Sequence, residues 1–216
     1  MKIVFIGSGS IIFVKNLIGD CLLTPCLADA EYALLDIDAE KLALSERMLQ
    51  RLNESVNSGR ARIRAYTSQK EALRCADFVI SAIQVGGYQR VVPDFEIPAK
   101  YGLKQTYADT LGIGGIFRGL RTVPVMQDIV RDMMEVCPDA WLLNYVNPMA
   151  IITGAMLKST GVKMVGLCHS VQVCASDLLS GLGMPTDHLR YKIAGINHQA
   201  WLLELEQNGV DIYPEV

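Results

Sequence analysis

A glycine-bearing turn follows the first apolar run of the chain, at Gly7-Ser8-Gly9-Ser10. In a dinucleotide-binding fingerprint the first glycine permits a sharp turn, and the second lets the backbone approach a pyrophosphate at a helix N-terminus. The third fingerprint position holds Ile12 instead of glycine, so the motif is partial. Asp36 ends the next apolar run, where a carboxylate can bind ribose hydroxyl groups and favours NAD over NADP. The residues predicted to bind NAD are therefore Gly7, Ser8, Gly9, Ser10 and Asp36. The alternative is an ordinary strand-to-helix turn followed by an aspartate that caps the next helix.

A cysteine and a histidine in the second half of the chain are candidates for a metal site. Cys168 falls at the predicted carboxyl end of a strand, which is where open α/β sheets bind ligands. His198 follows a predicted turn at Gly195-Ile196-Asn197. A thiolate and an imidazole form half of the shell of a divalent metal, and substrate oxygen atoms could complete it. The alternative is a packed cysteine and an ordinary hydrogen-bonding histidine, and the spacing does not decide between the two.

Three further segments carry side chains suited to a hydroxylated or anionic ligand. Asn147 ends a predicted strand just before a proline, and its amide could hydrogen bond to hydroxyl groups. Asp109 lies in a glycine-rich loop, and Arg118 and Arg121 follow as possible anchors for substrate or phosphate. Gly86-Gly87-Tyr88-Gln89-Arg90 follows another strand and could cover the cofactor. The simpler alternative for each segment is a turn or a surface loop.

The elements that must position these residues alternate along the chain, as in βαβ units around a parallel sheet. Strands are predicted at 3–6, 32–35, 63–65, 78–83, 141–145 and 164–167. Helices are predicted at 12–23, 39–57 with Asp38 as N-cap, 70–75, 122–136 and 149–159. The fold class is therefore α/β, with a Rossmann-like, doubly wound parallel sheet.

After Cys168 the pattern changes to extended segments at 193–196 and 201–205, and Asn208-Gly209 is a hairpin-turn signal. We therefore expect residues 1–167 to form an NAD-binding domain. Residues 168–216 are expected to begin a mixed α+β metal- and substrate-binding domain that is incomplete in this chain.

Composition limits the classes of partner. The formal net charge is −3, and acidic and basic residues are mixed along the chain, which argues against nucleic acid and anionic membranes as partners. The apolar start is too short for a signal peptide, and no run approaches the roughly 20 residues of a membrane span. Six cysteines in 216 residues suggest free thiols in a reducing compartment. We expect a cytoplasmic protein whose partners are small molecules.

Motifs along the whole chain resemble those of glycoside hydrolase family four, the NAD- and manganese-dependent glycosidases, and most closely its α-galactosidase (melibiase) branch. The matching segments are Ile6-Gly7-Ser8-Gly9-Ser10, Leu35-Asp36-Ile37-Asp38, Gly86-Gly87-Tyr88, Ala108-Asp109-Thr110-Leu111-Gly112, Asn144-Tyr145-Val146-Asn147-Pro148-Met149, Gly166-Leu167-Cys168-His169-Ser170 and Gly195-Ile196-Asn197-His198. This family departs from the usual two-carboxylate scheme of glycoside hydrolysis.

The resemblance implies a redox-neutral elimination and addition. NAD takes a hydride from C3 of the sugar, the metal polarises the resulting ketone, a base removes the C2 proton, and the aglycone leaves from C1. Water then adds and the hydride returns. The resemblance assigns Cys168 and His198 to a Mn²⁺ or similar divalent ion, and Asn147 and, less directly, Arg90 to the glycoside. We also expect the complete enzyme to be a homo-oligomer.

Two features depart from the family pattern. The residue after the metal cysteine is His169, whereas the phospho-glucosidase branch has an aspartate acid there; an imidazole can still donate a proton near neutral pH. Family members are also much longer than 216 residues. Their catalytic tyrosine, whose basicity Asp109 would raise, lies beyond the metal histidine, and neither Tyr191 nor Tyr213 matches it. The chain therefore resembles the N-terminal portion of such an enzyme.

Two other classes remain as alternatives. A lactate- or malate-type 2-hydroxyacid dehydrogenase shares a similar cofactor domain, but it requires a catalytic histidine paired with aspartate and an arginine clamp, which we do not find in the sequence. A nucleotide-binding module that is catalytically incomplete would need none of these groups.

Overall fold

The computed structural model describes residues 1–104 and 110–216, except for the side chain of Gln172. These residues form two compact units, Met1–Gly166 and Leu167–Val216. Each unit has its own sheet and its own core, and each is described separately below.

The first unit is built on a six-stranded parallel sheet with strand order β3-β2-β1-β4-β5-β6. Its strands are β1 (Lys2–Ile6), β2 (Glu31–Leu35), β3 (Arg62–Tyr66), β4 (Phe78–Ser81), β5 (Trp141–Asn144) and β6 (Lys163–Gly166). The order reverses between β1 and β4, which is the switch point at which open α/β sheets bind ligands. The predicted Rossmann-like sheet is thus confirmed, and the ends of all six strands agree with prediction to within two residues.

Six helices connect these strands: α1 (Ile11–Leu23), α2 (Ala39–Asn57), α3 (Gln69–Leu73), α4 (Gly87–Ala99), α5 (Gly112–Val136) and α6 (Met149–Ser159). Side chains of the sheet alternate between two apolar clusters, one on each face. In β1, Val4 belongs to a cluster with Val79, Met126 and Leu142, whereas Phe5 belongs to a cluster around Leu34. Burial on both faces explains why the strand sequences are continuously apolar.

Two parts of this helical layer differ from the sequence prediction. Helix α4 was not predicted, and its two internal prolines, Pro93 and Pro98, hide its helical pattern. Helix α5 begins at Gly112 and not at Thr122, so its glycine-rich start is helix and not the expected loop. A Cβ added to Gly115 would lie 2.7 Å from the carbonyl carbon of Thr110. The glycines therefore permit close packing, a reason that the local sequence does not reveal.

The second unit contains α7 (Ser170–Gly181), which was not predicted, and an antiparallel sheet in the order β7-β8-β9. Its strands are β7 (Leu189–Ile196), β8 (Gln199–Gln207) and β9 (Val210–Asp211), and a 3₁₀ helix follows at Tyr213–Glu215. A small core of Ala175, Leu179, Leu205 and Ile212 joins helix and sheet. The hairpin predicted at Asn208-Gly209 is present, with the positive φ values of 51° and 79° that a primed turn requires.

Within the described ranges, none of the helices combines the length and the apolar character needed to cross a membrane.

Candidate functional site

The glycine-bearing turn connects β1 to α1, and its conformation leaves no room for a side chain at either glycine. Gly7 has φ of +94°, and a Cβ at this position would lie 2.5 Å from the carbonyl oxygen of Ala82. A Cβ on Gly9 would lie 2.8 Å from Oδ2 of Asp36. The two glycines are therefore required by a positive φ in one case and by the approach of a carboxylate in the other.

Asp36 lies directly beside this turn. Its Oδ2 accepts a hydrogen bond of 2.6 Å from the backbone N–H of Gly9, and its Oδ1 accepts one of 2.9 Å from that of Asp38. A carboxylate has about four lone-pair sites, so acceptor capacity remains for ribose hydroxyl groups. The N-cap of α2 is the neighbouring Asp38, as predicted, because its carboxylate accepts from the Lys41 N–H. Asp36 is thus not the capping residue of the simpler alternative.

Ser45, a buried residue of α2, holds the turn through Ser8. The hydroxyl of Ser45 donates a 2.6 Å hydrogen bond to the carbonyl oxygen of Ser8, and both side chains are fully buried. Sequence reasoning missed Ser45, although it lies on the buried stripe of α2 between Leu42 and Leu49. A polar residue within an apolar stripe was the available signal.

The residues at the turn fit a dinucleotide. Oγ of Ser8 is buried and has no hydrogen-bond partner among the described residues. Ser10 precedes α1, and its side chain makes no capping hydrogen bond, so the first N–H groups of the helix are not capped by it. An uncapped helix N-terminus beside a glycine turn can bind a pyrophosphate.

Cys168 and His198 meet in the second unit. Sγ of Cys168 lies 3.5 Å from Nε2 of His198 and 3.3 Å from Oγ of Ser170. Cys168 immediately precedes His169, the N-cap of α7, whereas His198 lies between β7 and β8 with a positive φ of 63°. Such a φ is uncommon for a residue with a side chain and is found in turns and functional sites.

The surroundings of Cys168 favour a thiolate. Desolvation alone would raise the pKa of this thiol. Hydrogen bonds from the hydroxyl and N–H of Ser170, from the Asn197 side chain and from the N–H of His169 outweigh desolvation, so the pKa of Cys168 lies below its ordinary value. A cysteine just before a helix start is a known setting for such a shift. The thiolate is the form that binds metal ions.

The distance between the two side chains fits one divalent ion. In a tetrahedral Zn²⁺ site, for example, ligands bonded at about 2.3 Å through sulfur and about 2.0 Å through nitrogen lie about 3.5 Å apart. No cluster of three or more histidine, cysteine, aspartate or glutamate side chains is found in the part of the chain that the structure describes. The pair could therefore provide two ligands, and oxygen atoms of water or substrate would complete the shell.

The predicted sugar-binding residues follow neighbouring strands of the first unit. Asn147 comes after β5 and is half-buried. Buried Asn144 shapes the turn before it, because its Oδ1 accepts a 3.1 Å hydrogen bond from the N–H of Val146. Arg90 is exposed in the first turn of α4, after β4. Both residues lie beyond the carboxyl ends of their strands, the edge at which such sheets bind ligands.

Arg121, expected from the sequence to be an anchor for substrate or phosphate, makes contacts within the first unit. Its guanidinium binds both oxygens of Asp94, with Nη1–Oδ1 and Nη2–Oδ2 distances of 3.2 and 2.7 Å. Its Nε donates to the carbonyl oxygen of Val85 at 3.2 Å. Arg121 therefore joins α5 to α4 and to the segment after β4. The suggestion that it also anchors substrate or phosphate stays a prediction.

Two further residues, His169 and Asp109, were predicted to be catalytic. His169 is exposed at the N-cap of α7. Asp109 lies outside the described residues, so its expected role stays a prediction.

Comparisons with known proteins agree with the motifs. The sequence profile of the family 4 glycosyl hydrolases matches residues 2–184. An alpha-galactosidase of Bacillus subtilis (strain 168) is 59% identical over 216 residues, which are 100% of this chain and 50% of that protein. An alpha-galactosidase of Rhizobium meliloti (strain 1021) is 42% identical over 209 residues, 96% of this chain and 42% of that protein. The chain thus spans about half the length of the curated relatives it matches.

A solved structure has a similar fold. The 6-phospho-beta glucosidase from Thermotoga maritima, solved with manganese, NAD+ and glucose-6-phosphate, superposes with a TM-score of 0.86. It is 24% identical, and the match covers 100% of this chain and 51% of that one. The profile match covers most of the chain, and the fold and the motifs agree with it. We conclude that the chain belongs to family 4 of the glycosyl hydrolases.

Proposed function

We propose that this chain is the NAD- and metal-binding part of an α-galactosidase that requires NAD and Mn²⁺ or another divalent ion. The observation that carries the proposal is the pairing of Cys168 with His198 at 3.5 Å. It occurs in a chain 59% identical to an alpha-galactosidase.

The proposed roles of the first unit follow from its turn. A pyrophosphate would bind to the backbone at the start of α1, next to Gly7, Gly9 and Ser10. Ser8 is fixed there by its hydrogen bond from Ser45 of α2. Asp36 would accept hydrogen bonds from ribose hydroxyl groups. Beyond the strand ends, Asn147 and Arg90 would bind hydroxyl groups of the glycoside.

The second unit would hold the metal. Cys168, whose thiol pKa is lowered by its hydrogen bonds, and His198 would be the protein ligands. When bound, NAD and the ion would supply hydride transfer at C3 of the sugar and polarisation of the carbonyl group formed there. His169 would donate a proton to the leaving oxygen, and Asp109 would raise the basicity of a tyrosine base.

Cellular context is also part of the proposal. All six cysteines are free in the structure, and a ligand thiol must stay reduced, which supports the cytoplasm as the location. That the complete enzyme is a homo-oligomer stays a prediction. The dehydrogenase alternative is not favoured, because the family match is to glycosidases.

The test is turnover of p-nitrophenyl α-galactoside by this chain with NAD, Mn²⁺ and a thiol reductant, each then omitted in turn. NAD binding and Mn²⁺ binding are measured in parallel by calorimetry. Activity that requires all three additions supports the proposal, and binding of both NAD and Mn²⁺ without turnover is the result expected of the NAD- and metal-binding part alone. NAD binding without Mn²⁺ binding would favour the nucleotide-binding module, and net NADH production from a hydroxy acid would favour a dehydrogenase.

A further inference from the structure

Asn197 shares with His198 the turn that connects β7 to β8. Ile196, the last residue of β7, pairs with Gln199, the first of β8, so Asn197 and His198 are the two residues of the connection. A Cβ on Gly195 would lie 2.6 Å from Cα of Ala200, so the glycine allows the strands to approach closely beside the turn. The turn thus holds Asn197 and His198 in a fixed relation to each other.

Asn197 and His198 both act on the Cys168 sulfur from adjacent positions of one turn. Nε2 of His198 lies 3.5 Å from this sulfur. The side chain of Asn197 lowers the pKa of the Cys168 thiol by hydrogen bonding. A carboxamide donates only through its nitrogen, so the amide nitrogen of Asn197 is the group that acts on the sulfur.

The other end of the amide is left without a partner. Oδ1 of Asn197 is buried, and no described residue donates a hydrogen bond to it. Burying an acceptor in this way is unfavourable, and such groups in folded proteins are commonly satisfied by a water, an ion or a ligand. Because Oδ1 and the amide nitrogen share one rigid planar group, this acceptor lies next to the Cys168 sulfur.

We propose that Asn197 is a positioning residue of the Cys168–His198 site. Its amide nitrogen orients the thiolate, and its Oδ1 accepts a hydrogen bond from an O–H group, of water or of a sugar, that enters beside the metal ion. The inference rests on the proposed function, since it assumes that the pair binds a divalent ion. Outer-shell hydrogen bonds of this kind orient metal ligands, and their loss lowers metal affinity.

The test measures Mn²⁺ affinity of the 216-residue chain by calorimetry and electron paramagnetic resonance. Asn197→Ser keeps a residue suited to turns but removes the amide, and Gln199→Ala changes an exposed side chain of the same hairpin as the control. We expect about 10- to 100-fold weaker Mn²⁺ binding for Asn197→Ser, and wild-type affinity for the control. With Co²⁺, the thiolate-to-metal absorption band should shift in Asn197→Ser alone, which a general loss of stability would not produce.

The outcomes distinguish the role of Asn197 from the existence of the metal site. If the wild type binds Mn²⁺ and Asn197→Ser binds it equally well with an unchanged cobalt spectrum, the role of Asn197 is refuted while the metal site stands. If the wild type and His198→Ala fail alike to bind the ion, the metal site itself is refuted. Methyl α-galactoside, added to both chains, identifies the O–H donor. A sugar-dependent gain in Mn²⁺ affinity that Asn197→Ser loses assigns a sugar hydroxyl, and any other result assigns water.

Discussion

Sγ of Cys168 lies 3.5 Å from Nε2 of His198, although 30 residues separate them along the chain. Cys168 lies just before α7, and His198 lies in the turn after β7, so the intervening chain forms a helix and a strand and returns. Both residues belong to the second unit, whereas the glycine turn and Asp36 belong to the first. The two proposed binding functions can therefore be tested by separate substitutions.

Cys168→Ser should abolish metal binding and leave NAD binding intact. A hydroxyl group is a poor substitute for a thiolate ligand, and we expect Mn²⁺ affinity to fall by more than about 100-fold, beyond the effect of losing an outer-shell partner. Calorimetry with Mn²⁺ and with NAD measures both. Cys174→Ser, a change at an exposed position of α7, is the matched control and should bind both like the wild type. Unchanged Mn²⁺ binding by Cys168→Ser would refute the assignment of Cys168 as a metal ligand.

Alkylation should reveal the lowered pKa of Cys168. Because its hydrogen bonds favour the charged form, the thiolate should persist as the pH falls below the usual thiol pKa of about 8.5. Iodoacetamide labelling followed by peptide mass spectrometry should therefore show a lower reactivity midpoint for Cys168 in the folded chain than in the unfolded chain. The same cysteine in the urea-unfolded chain provides the reference, since unfolding removes the hydrogen bonds. Equal midpoints in the folded and unfolded chains would contradict the prediction.

Gly9→Ala should weaken NAD binding and also lower the free energy of unfolding, because it removes a hydrogen bond within the folded chain. The new Cβ would lie 2.8 Å from Oδ2 of Asp36, so the carboxylate must turn away and lose its hydrogen bond to residue 9. We expect the NAD dissociation constant to rise about 10- to 100-fold, corresponding to the loss of one hydrogen bond to a charged group.

Gly19→Ala is the matched control for that substitution. Gly19 lies within α1, and an added Cβ would lie 3.5 Å from Cδ2 of Leu52, an ordinary van der Waals distance. NAD binding should stay unchanged, and the free energy of unfolding should rise by about 0.5–1 kcal/mol because alanine is the better helix former. If both variants bound NAD like the wild type, the glycine turn would not be the cofactor site.

Arg121→Ala should strongly destabilise the first unit. Asp94 is 1% exposed, and removal of its bidentate partner leaves a buried carboxylate unpaired. A loss of about 3–5 kcal/mol in the free energy of unfolding is expected, measured by urea denaturation. Arg131→Ala, which breaks an exposed pair with Asp128 in the same helix, should cost about 0–1 kcal/mol.

A double substitution checks the cause of that loss. Asp94→Leu combined with Arg121→Met removes both charges and should be less destabilising than Arg121→Ala alone. If the double variant were the less stable of the two, the unpaired charge could not explain the loss.

Much of the first unit could be read from local sequence. Strands buried on both faces are continuously apolar, and the helices between them carry an apolar stripe, so their order predicts a doubly wound sheet. Helix α2 begins and ends where predicted, because Asp38 is a good N-cap and the chain turns at Ser58 in a left-handed conformation. The start of α5 was misread, since its glycines resemble a loop until the packing against Thr110 is seen.

The candidate site, too, could be predicted from the sequence only in part. Sequence by itself determined which residues have suitable chemistry: glycines after a first strand, an aspartate after the second, and a cysteine and a histidine in family motifs. Tertiary structure alone decided which groups meet. It brought Ser45 to the turn, paired Arg121 with Asp94 and placed Cys168 beside His198. Backbone propensities and apolar periodicity act over a few residues, whereas hydrogen bonds between distant side chains exist only once the folded elements have brought them within reach.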